Sequence, residues 1–213
     1  MLLNQKQAQQ LLNKYSIKFP ETLVFRTYNE IADKNIAYPC VLKVDSPQVM
    51  HKTELGLVFI DVTLIEELKQ DIAKAEAILK EKQIIDYNFV LQEKLTGAEF
   101  IMGMKSDPTF GKVIVFGLGG IFVELIKDIS MKIAPLEKKD CIDMIESTKA
   151  KKFIEGYRGF PKANKDKIID LLLKLSKMAI NEKNLVEIDF NPVIVNEKEA
   201  YVADARIISE ENA

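Results

Sequence analysis

A block of short apolar runs separated by turn residues, over 89–126, constrains the fold of this chain most. Three runs inside it, 100–104, 113–116 and 122–126, have the length of a strand. They are separated by Asp107-Pro108 and by a cluster of glycines. Short connections of this kind favour neighbouring antiparallel strands. The block therefore predicts a β-meander.

Amphipathic patterns and further apolar runs lie on both sides of this block. Apolar residues at three- and four-residue spacing predict helices over 2–12, 64–82, 141–145 and 164–179. Strands are expected over 22–25, 40–44, 58–62 and 89–92, and a closing hairpin over 185–190, 193–195 and 200–205. Asn29 is expected to cap a brief helix ending at Asn35, and Asn164 to cap the last long helix. The chain therefore has the pattern of an α+β protein with mixed strands and helices, and the polar break at 86–88 marks the predicted boundary between two lobes.

Composition narrows the classes of partner. The 213 residues include 30 basic and 32 acidic ones, a net charge of −2, so there is no electrostatic footprint for nucleic acid or an anionic membrane. The longest mostly apolar stretch, 113–123, is about half a bilayer span and is broken by glycines. Only Cys40 and Cys141 carry thiols, which excludes a disulfide framework and favours two core thiols. We expect a cytoplasmic protein with no nucleic acid and no membrane partner.

Oxygen-bearing side chains are concentrated in the closing hairpin. Glu187, Asp189 and Asn191 alternate along one strand, and Asp204 lies on the next. Period-two spacing places the first three on one face of the sheet. Carboxylate and amide oxygens are hard ligands that suit Mg²⁺, especially Mg²⁺ carried by phosphates. A solvated outer face explains the same alternation, so both interpretations stay open.

Three other features could carry chemistry. The glycine turn at 117–120 would offer backbone N–H groups to a phosphate, or it is a tight hairpin that needs positive φ. Lys43 lies in an apolar strand and needs an anionic partner, either a nucleotide phosphate or a carboxylate. His51, the only histidine, is either a nucleophile at neutral pH or a surface residue.

Several long segments, in order, resemble one family, the ATP-grasp β subunit of ADP-forming acetyl-CoA synthetase, which is related to succinyl-CoA synthetase β chains. The segments are YPCVLKVDSPQVMHKTELGLV, LQEKLTGAEFIMGMKSDPTFGKVIVFGLGGIFVELIKDISMKIAPL, GYRGF and VEIDFNPVIVNEKEAYVADARI. The resemblance runs from about Gln7 to Ile208. It implies a single ATP-grasp domain of two lobes with the nucleotide held between them. The first lobe would span 17–88, and the second 89–213 together with the N-terminal helix 1–16.

The resemblance also implies a reaction and its residues. Acyl-CoA, ADP and phosphate would give the free acid, CoA and ATP through an acyl phosphate and phosphohistidines. The nucleotide residues it implies are Lys43 on the phosphates, the hinge Gln92, Glu93, Lys94 and Leu95 along the adenine pocket, Glu99, and the phosphate-contacting Gly119 and Gly120. Asn191 and Asp204 match metal-binding positions, and Asp189 would lie near His51, which matches the phosphohistidine. The cofactors implied are ATP or ADP and Mg²⁺.

The prediction of a partner subunit rests on two parts of the implied reaction that this sequence does not supply. It has one histidine and no dinucleotide-type domain for CoA. The resemblance therefore implies a CoA-binding α subunit, in an assembly of two α and two β subunits. The alternatives are a succinyl-CoA synthetase-like or other ATP-grasp ligase subunit, which the HKTE string disfavours, and a non-catalytic nucleotide-binding regulatory module. Three positions depart from the family pattern: Leu57 and Ser106 replace a glycine and an arginine, and Lys132 stands where many relatives have arginine.

Overall fold

The computed structural model describes residues 1–49, 52–120, 128–157 and 161–210. The chain divides into two compact units. The small unit is Pro20–Leu95, and the large unit combines Met1–Phe19 with Thr96–Ala213. Each unit has its own hydrophobic core.

The small unit is an antiparallel sheet with one long helix packed against it. Its elements are β1 (Thr22–Phe25), a 3₁₀ turn (Tyr28–Glu30), β2 (Cys40–Asp45), β3 (Val58–Val62), α2 (Ile65–Glu81) and β4 (Asn88–Glu93). Helix α1 (Gln5–Lys14) precedes them in the chain and belongs to the large unit. The strands lie in the order β1-β4-β2-β3. Helix α2 buries Leu68, Ile72, Ala75 and Leu79 at three- and four-residue spacing, in one core with the strands of the sheet. One face of this sheet is therefore covered by α2.

The large unit is a longer antiparallel sheet with helices on one face. Its elements are α1 (Gln5–Lys14), β5 (Ala98–Asp107), β6 (Gly111–Leu118), β7 (Ile129–Ile133), α3 (Lys138–Glu146), α4 (Ala150–Ile154), α5 (Lys165–Asn181), β8 (Leu185–Val195), β9 (Ala200–Val202) and β10 (Ala205–Ser209). The strands follow the order β10-β8-β5-β6-β7, and β9 pairs with β8. Phe100, Phe116 and Phe190 are fully buried beneath the helices, together with Leu172 and Leu175 of α5.

Alternation along these strands decides where the predicted site residues lie. Met102 and Met104 of β5, and Ile188 and Phe190 of β8, are buried in the core. The residues between them occupy the opposite face, away from the helices. On that face Asp189 lies opposite Gly103. The carboxylates of β8 are therefore kept out of the core by strand geometry alone.

The long periodic patterns are confirmed, and the short ones are less accurate. The helices expected over 64–82 and 164–179 are α2 and α5, and Asn164 caps α5 by accepting the Lys167 N–H at 3.2 Å. The helix expected from Asn29 to 35 is wrong. A single 3₁₀ turn forms instead, with Thr27 as its N-cap, because Glu30 accepts the Thr27 N–H at 2.9 Å and closes the turn locally.

The end of the chain and the lobe boundary also differ from expectation. Strand β8 is continuous over eleven residues, and the run 200–205 is split into β9 and β10 at Asp204. The predicted boundary at 86–88 is displaced to the junction between Leu95 and Thr96. The physical reason is that β4 pairs with both β1 and β2, so it belongs to the small unit.

Other expectations concern the cysteines, the membrane and one strand. Cys40 and Cys141 are both free and buried, as expected for core thiols, and burial raises the pKa of each to about 11.

In the described ranges, no helix combines the length and the apolar character that a bilayer span requires. The strand expected over 122–126 lies outside the described residues.

Candidate functional site

Lys43 lies on the sheet face opposite to helix α2. Its neighbours Leu42 and Val44 are completely buried in the small-unit core, whereas Lys43 is half-buried between Val58 of β3 and Val90 of β4. The predicted charge inside a strand is thus kept out of the apolar core by alternation. Half-burial leaves part of the Lys43 side chain accessible on that face.

The predicted hinge begins inside β4. Gln92 is only 4% exposed, and its Nε2 donates to Thr22 Oγ1 at 3.3 Å. Gln92 lies opposite Val41 on β2, and Lys43 lies opposite Val90, so the Gln92 and Lys43 side chains share a face as diagonal neighbours. The sheet therefore brings two of the predicted nucleotide residues together.

Backbone hydrogen bonds fix the rest of the hinge. The Glu93 N–H donates to the Glu21 carbonyl and the Lys94 N–H to the Pro39 carbonyl, both at 3.1 Å. Lys94 also forms an ion pair with Asp61. These contacts tether the end of β4 on both sides before the chain reaches Leu95.

A cavity of about 260 Å³ opens at this end of the small-unit sheet. Gln92 and Glu93 of the predicted hinge line it. The other lining residues come from the starts of β1 and β2, the end of β4 and the loop before β2: Glu21, Thr22, Leu23, Asn35, Ile36, Ala37, Cys40 and Leu91. Pockets that enclose a whole drug-sized ligand are usually larger, about 300 Å³ or more. The cavity suits a fragment the size of a nucleobase.

In the large unit, charged side chains of β8 and β10 meet on the face away from the helices. Arg206 lies opposite Asp189, and its Nη1 forms an ion pair with Glu187 Oε1 at 2.8 Å. Burial raises the pKa of the Asp189 carboxyl, the charge of Asp204 raises it further, and the Arg206 guanidinium lowers it. Asp189 opens into a shallow depression of about 180 Å³. A desolvated carboxylate beside another one is the electrostatic setting of a site that receives a cation.

The backbones of Asn191 and Asp204, the predicted metal ligands, are adjacent. The Asn191 N–H donates to the Asp204 carbonyl at 3.2 Å, across the β8–β10 pair. No group of three or more His, Cys, Asp or Glu side chains within the described ranges is arranged to hold a metal ion. An amide oxygen with a single carboxylate instead fits a Mg²⁺ ion that obtains its remaining ligands from water and substrate phosphates. The donor set therefore fits the predicted ion.

The glycine turn is joined to both predicted sets of residues. The Gly119 N–H donates to the Glu99 carbonyl at 3.0 Å. The Gly120 N–H donates to Asn191 Oδ1 at 3.2 Å. Partial desolvation raises the pKa of the Glu99 carboxyl. The phosphate contact of this turn stays a prediction, but both of these donors already have acceptors in the protein.

One charged residue of this cluster was not predicted. Arg206 is a cation that forms an ion pair with Glu187 and lowers the pKa of the Asp189 carboxyl. The signal was present in the sequence, because Arg206 follows Asp204 by two residues in the string ADAR. Because the strand is interrupted at Asp204, between β9 and β10, the alternation of strand residues does not predict that Asp204 and Arg206 lie near the same carboxylates.

The three departures from the family pattern have structural partners. Leu57 is completely buried in the small-unit core, so its side chain contributes packing. Ser106 Oγ accepts a hydrogen bond from Lys112 Nζ at 2.7 Å, and Lys132 forms an ion pair with Asp140 at 2.9 Å. His51, the predicted phosphohistidine, lies outside the described residues, as do the last three residues of GYRGF.

Comparison with known proteins identifies the family. The ATP-grasp domain family matches residues 1–208, and the chain belongs to it. Within that family it groups with β subunits of ADP-forming acetate–CoA ligases. It is 36% identical over 211 residues to the β subunit of the ADP-forming acetate–CoA ligase I of Pyrococcus furiosus, with 97% of this chain and 91% of the subunit covered.

A longer relative and two solved structures agree. ADP-forming acetate–CoA ligase II of Archaeoglobus fulgidus is 37% identical over 216 residues, and the match covers 98% of this chain but 30% of that protein. A structure of the dinucleotide-forming acetyl-coenzyme A synthetase 1 of Candidatus Korarchaeum cryptofilum, with coenzyme A, Ca-AMPCP and HgCl⁺, has a TM-score of 0.91 at 32% identity, covering 98% of this chain and 93% of that one. Another structure of that synthetase, with coenzyme A and Mg-AMPPCP, has its phosphohistidine segment pointing towards the nucleotide site; its TM-score is 0.81 at 33% identity, covering 98% of this chain and 92% of that one.

Proposed function

We propose that this chain is the nucleotide-binding β subunit of an ADP-forming acyl-CoA synthetase, with acetyl-CoA as the leading substrate class. It would transfer a phosphoryl group reversibly between ATP and a histidine, coupling acyl-CoA, ADP and phosphate to free acid, CoA and ATP. The observation that carries the proposal is that a backbone hydrogen bond, from the Asn191 N–H to the Asp204 carbonyl, brings together two residues whose side chains carry hard oxygen ligands. The similarity to a Pyrococcus furiosus β subunit over 97% of the chain supports it.

The small unit supplies nucleotide-binding groups in this proposal. Lys43 neutralises phosphate charge from its half-buried position on β2. The cavity beside Gln92 and Glu93 receives the adenine base, and the tethered backbone of Glu93 and Lys94 gives that cavity a fixed wall. Fixed walls reduce the entropy lost when the base binds.

The large unit supplies the metal ligands and a second carboxylate. Asn191 and Asp204 would hold Mg²⁺, which when bound withdraws charge from the phosphates. Glu99 completes the nucleotide site from β5. Asp189, desolvated and beside Arg206, orients the imidazole that receives the phosphoryl group by accepting a hydrogen bond from its N–H. Each of these groups lies on, or at the end of, a strand of the same sheet.

The transfer itself is proposed to end on His51. A neutral imidazole nitrogen attacks the terminal phosphorus in line, the N–P bond forms, and the P–O bond to ADP breaks. In the reverse direction ADP oxygen attacks the same phosphorus and releases the imidazole. The second half of the reaction, at the thioester, requires a CoA-binding α subunit, and we propose an assembly of two α and two β subunits.

Labelling with phosphate tests this function. The wild-type chain, given γ-labelled ATP and Mg²⁺ with a CoA-binding α subunit, should acquire an acid-labile, alkali-stable label. His51→Asn should lose the label and keep its affinity for nucleotide, whereas Thr53→Ala, an exposed neighbour, should keep both. A label that persists in His51→Asn contradicts the proposal.

A further inference from the structure

We infer that Gly120 is a positioning residue that sets two functional side chains at once, the carboxylate of Glu99 and the carboxamide of Asn191. This inference rests on the proposed nucleotide and metal roles of those two residues. It assigns the end of the glycine turn a task different from contacting a phosphate.

Two backbone N–H groups attach the glycine turn to neighbouring strands. The Gly120 N–H donates to Asn191 Oδ1 at 3.2 Å, a contact that joins positions 71 residues apart. One residue earlier, the Gly119 N–H donates to the Glu99 carbonyl at 3.0 Å and extends the pairing of β5 with β6. The turn is therefore attached on one side to β5 and on the other to β8.

The Gly120 donor also decides which end of the Asn191 amide faces it. An N–H group needs an acceptor, so the amide oxygen, and not the NH₂ group, must point to Gly120. A carbonyl oxygen has two lone pairs, and one hydrogen bond leaves the second for a cation. Without this donor the amide could rotate and present NH₂, which repels Mg²⁺. Gly120 thus keeps the metal ligand of the proposed site in its binding orientation.

Steric contact couples the same glycine to Glu99. A methyl group added at Gly120 would overlap Oε2 of Glu99. Gly120 also has φ of +60°, a conformation that glycine adopts without strain. Because this Glu99 oxygen is the far end of a flexible side chain, Gly120→Ala would make the Glu99 carboxylate swing away from the turn. Its present position therefore depends on the absence of a side chain at position 120.

Gly111 provides a matched control. It lies in the β5–β6 turn of the same unit with φ of +75°, but a methyl group added there would meet nothing within 4 Å. Gly111→Ala and Gly120→Ala therefore share the backbone strain of a left-handed alanine and differ in the contact with Glu99. The difference between the two variants isolates the positioning effect.

The experiment measures binding of Mg·ADP, and of ADP with a chelator, by calorimetry. We expect Gly120→Ala to weaken Mg·ADP binding at least about tenfold more than Gly111→Ala, the range set by losing one well-placed ligand to a charged group. Binding of metal-free ADP should weaken less, because the Asn191 orientation matters only when the metal is present. A general loss of structure would weaken both forms alike.

A double variant gives a second test, read as affinity for Mg·ADP. Adding Glu99→Ala removes the carboxylate that Gly120→Ala displaces, so Gly120→Ala should weaken Mg·ADP binding by a smaller factor in that background, a non-additive result. Equal Mg·ADP affinity in Gly120→Ala and Gly111→Ala overturns the inference and leaves the proposed function intact. Strict additivity with Glu99→Ala also overturns it. Failure of the wild-type chain to bind Mg·ADP with its α subunit overturns both.

Discussion

Asp189 is held in a position that disfavours its charged form. Burial and the charge of Asp204 raise the pKa of its carboxyl, against a smaller opposing effect of Arg206. A site that binds a cation next to a desolvated carboxylate gives up some stability in the empty state. That loss of folding stability is recovered when a cation binds beside the carboxylate.

The raised pKa of Asp189 makes the stability of the fold depend on pH. Because the pKa of Asp189 is higher in the folded than in the unfolded chain, its stabilising contribution is complete below the ordinary aspartate pKa and is lost as pH rises through the folded value. Asp189→Asn should therefore raise Tm near pH 7 in the absence of metal, and the two curves should converge in acid. Asp33→Asn, an exposed aspartate, serves as the control in the same thermal scans. An unchanged or lower Tm for Asp189→Asn at pH 7 would contradict this account of the carboxylate.

The predicted metal ligands can be tested directly. Asn191→Ala and Asp204→Ala should each weaken Mg·ADP binding roughly tenfold or more, since each removes one oxygen ligand. Glu197→Ala, at the exposed tip of the β8–β9 hairpin, should leave the affinity unchanged. Calorimetry with and without a chelator measures the effect, and equal affinities in all three variants would remove the metal assignment.

Among the elements, helix α5 depends on its cap. The Asn164 side chain accepts the Lys167 N–H at 3.2 Å and donates to the Glu197 carbonyl at 3.0 Å. Asn164→Ala should lower the free energy of unfolding by about 1 kcal/mol, as measured in denaturant. Asn29→Ala is the control, because Thr27 and not Asn29 caps the 3₁₀ turn. A comparable loss in Asn29→Ala would show that the cap is not the cause.

The elements that the sequence predicts well are those whose burial follows a long period. Helices α2 and α5 each bury one stripe against a sheet, so spacing alone locates them. The helix expected at Asn29 is wrong because the Thr27 N–H donates to the Glu30 carboxylate and closes a single turn. The predicted lobe boundary is displaced because β4 pairs with β1 and β2, which a local pattern does not show.

The sequence names candidate site residues but not the contacts between them. The resemblance named Glu99, Gly120 and Asn191 separately, but no local pattern shows that the Gly120 donor is used by a residue 71 positions away. Arg206 was missed for a similar reason, since its partner Glu187 belongs to another strand. Long-range pairing fixes such contacts, and a single sequence does not display it.

For the whole molecule, the proposal predicts dependence on a partner. The isolated chain should form no ATP from acyl-CoA, ADP and phosphate, because its one histidine cannot serve both halves of the reaction. Adding a CoA-binding α subunit should restore ATP formation, and the His51→Asn chain with the same subunit should not. Full turnover by the isolated chain would refute the assignment as a β subunit.

The large unit is discontinuous in sequence, and this affects how the chain is made. The Leu3 N–H donates to the Ile207 carbonyl at 2.9 Å, and α1 packs beside β10, so a segment that is made before the small unit pairs with a strand that is made after it. The small unit is one uninterrupted stretch, Pro20–Leu95, and all its strand partners leave the ribosome together. We therefore expect that the small unit can complete its strand pairing during synthesis before the segment that precedes it finds its partner in β10.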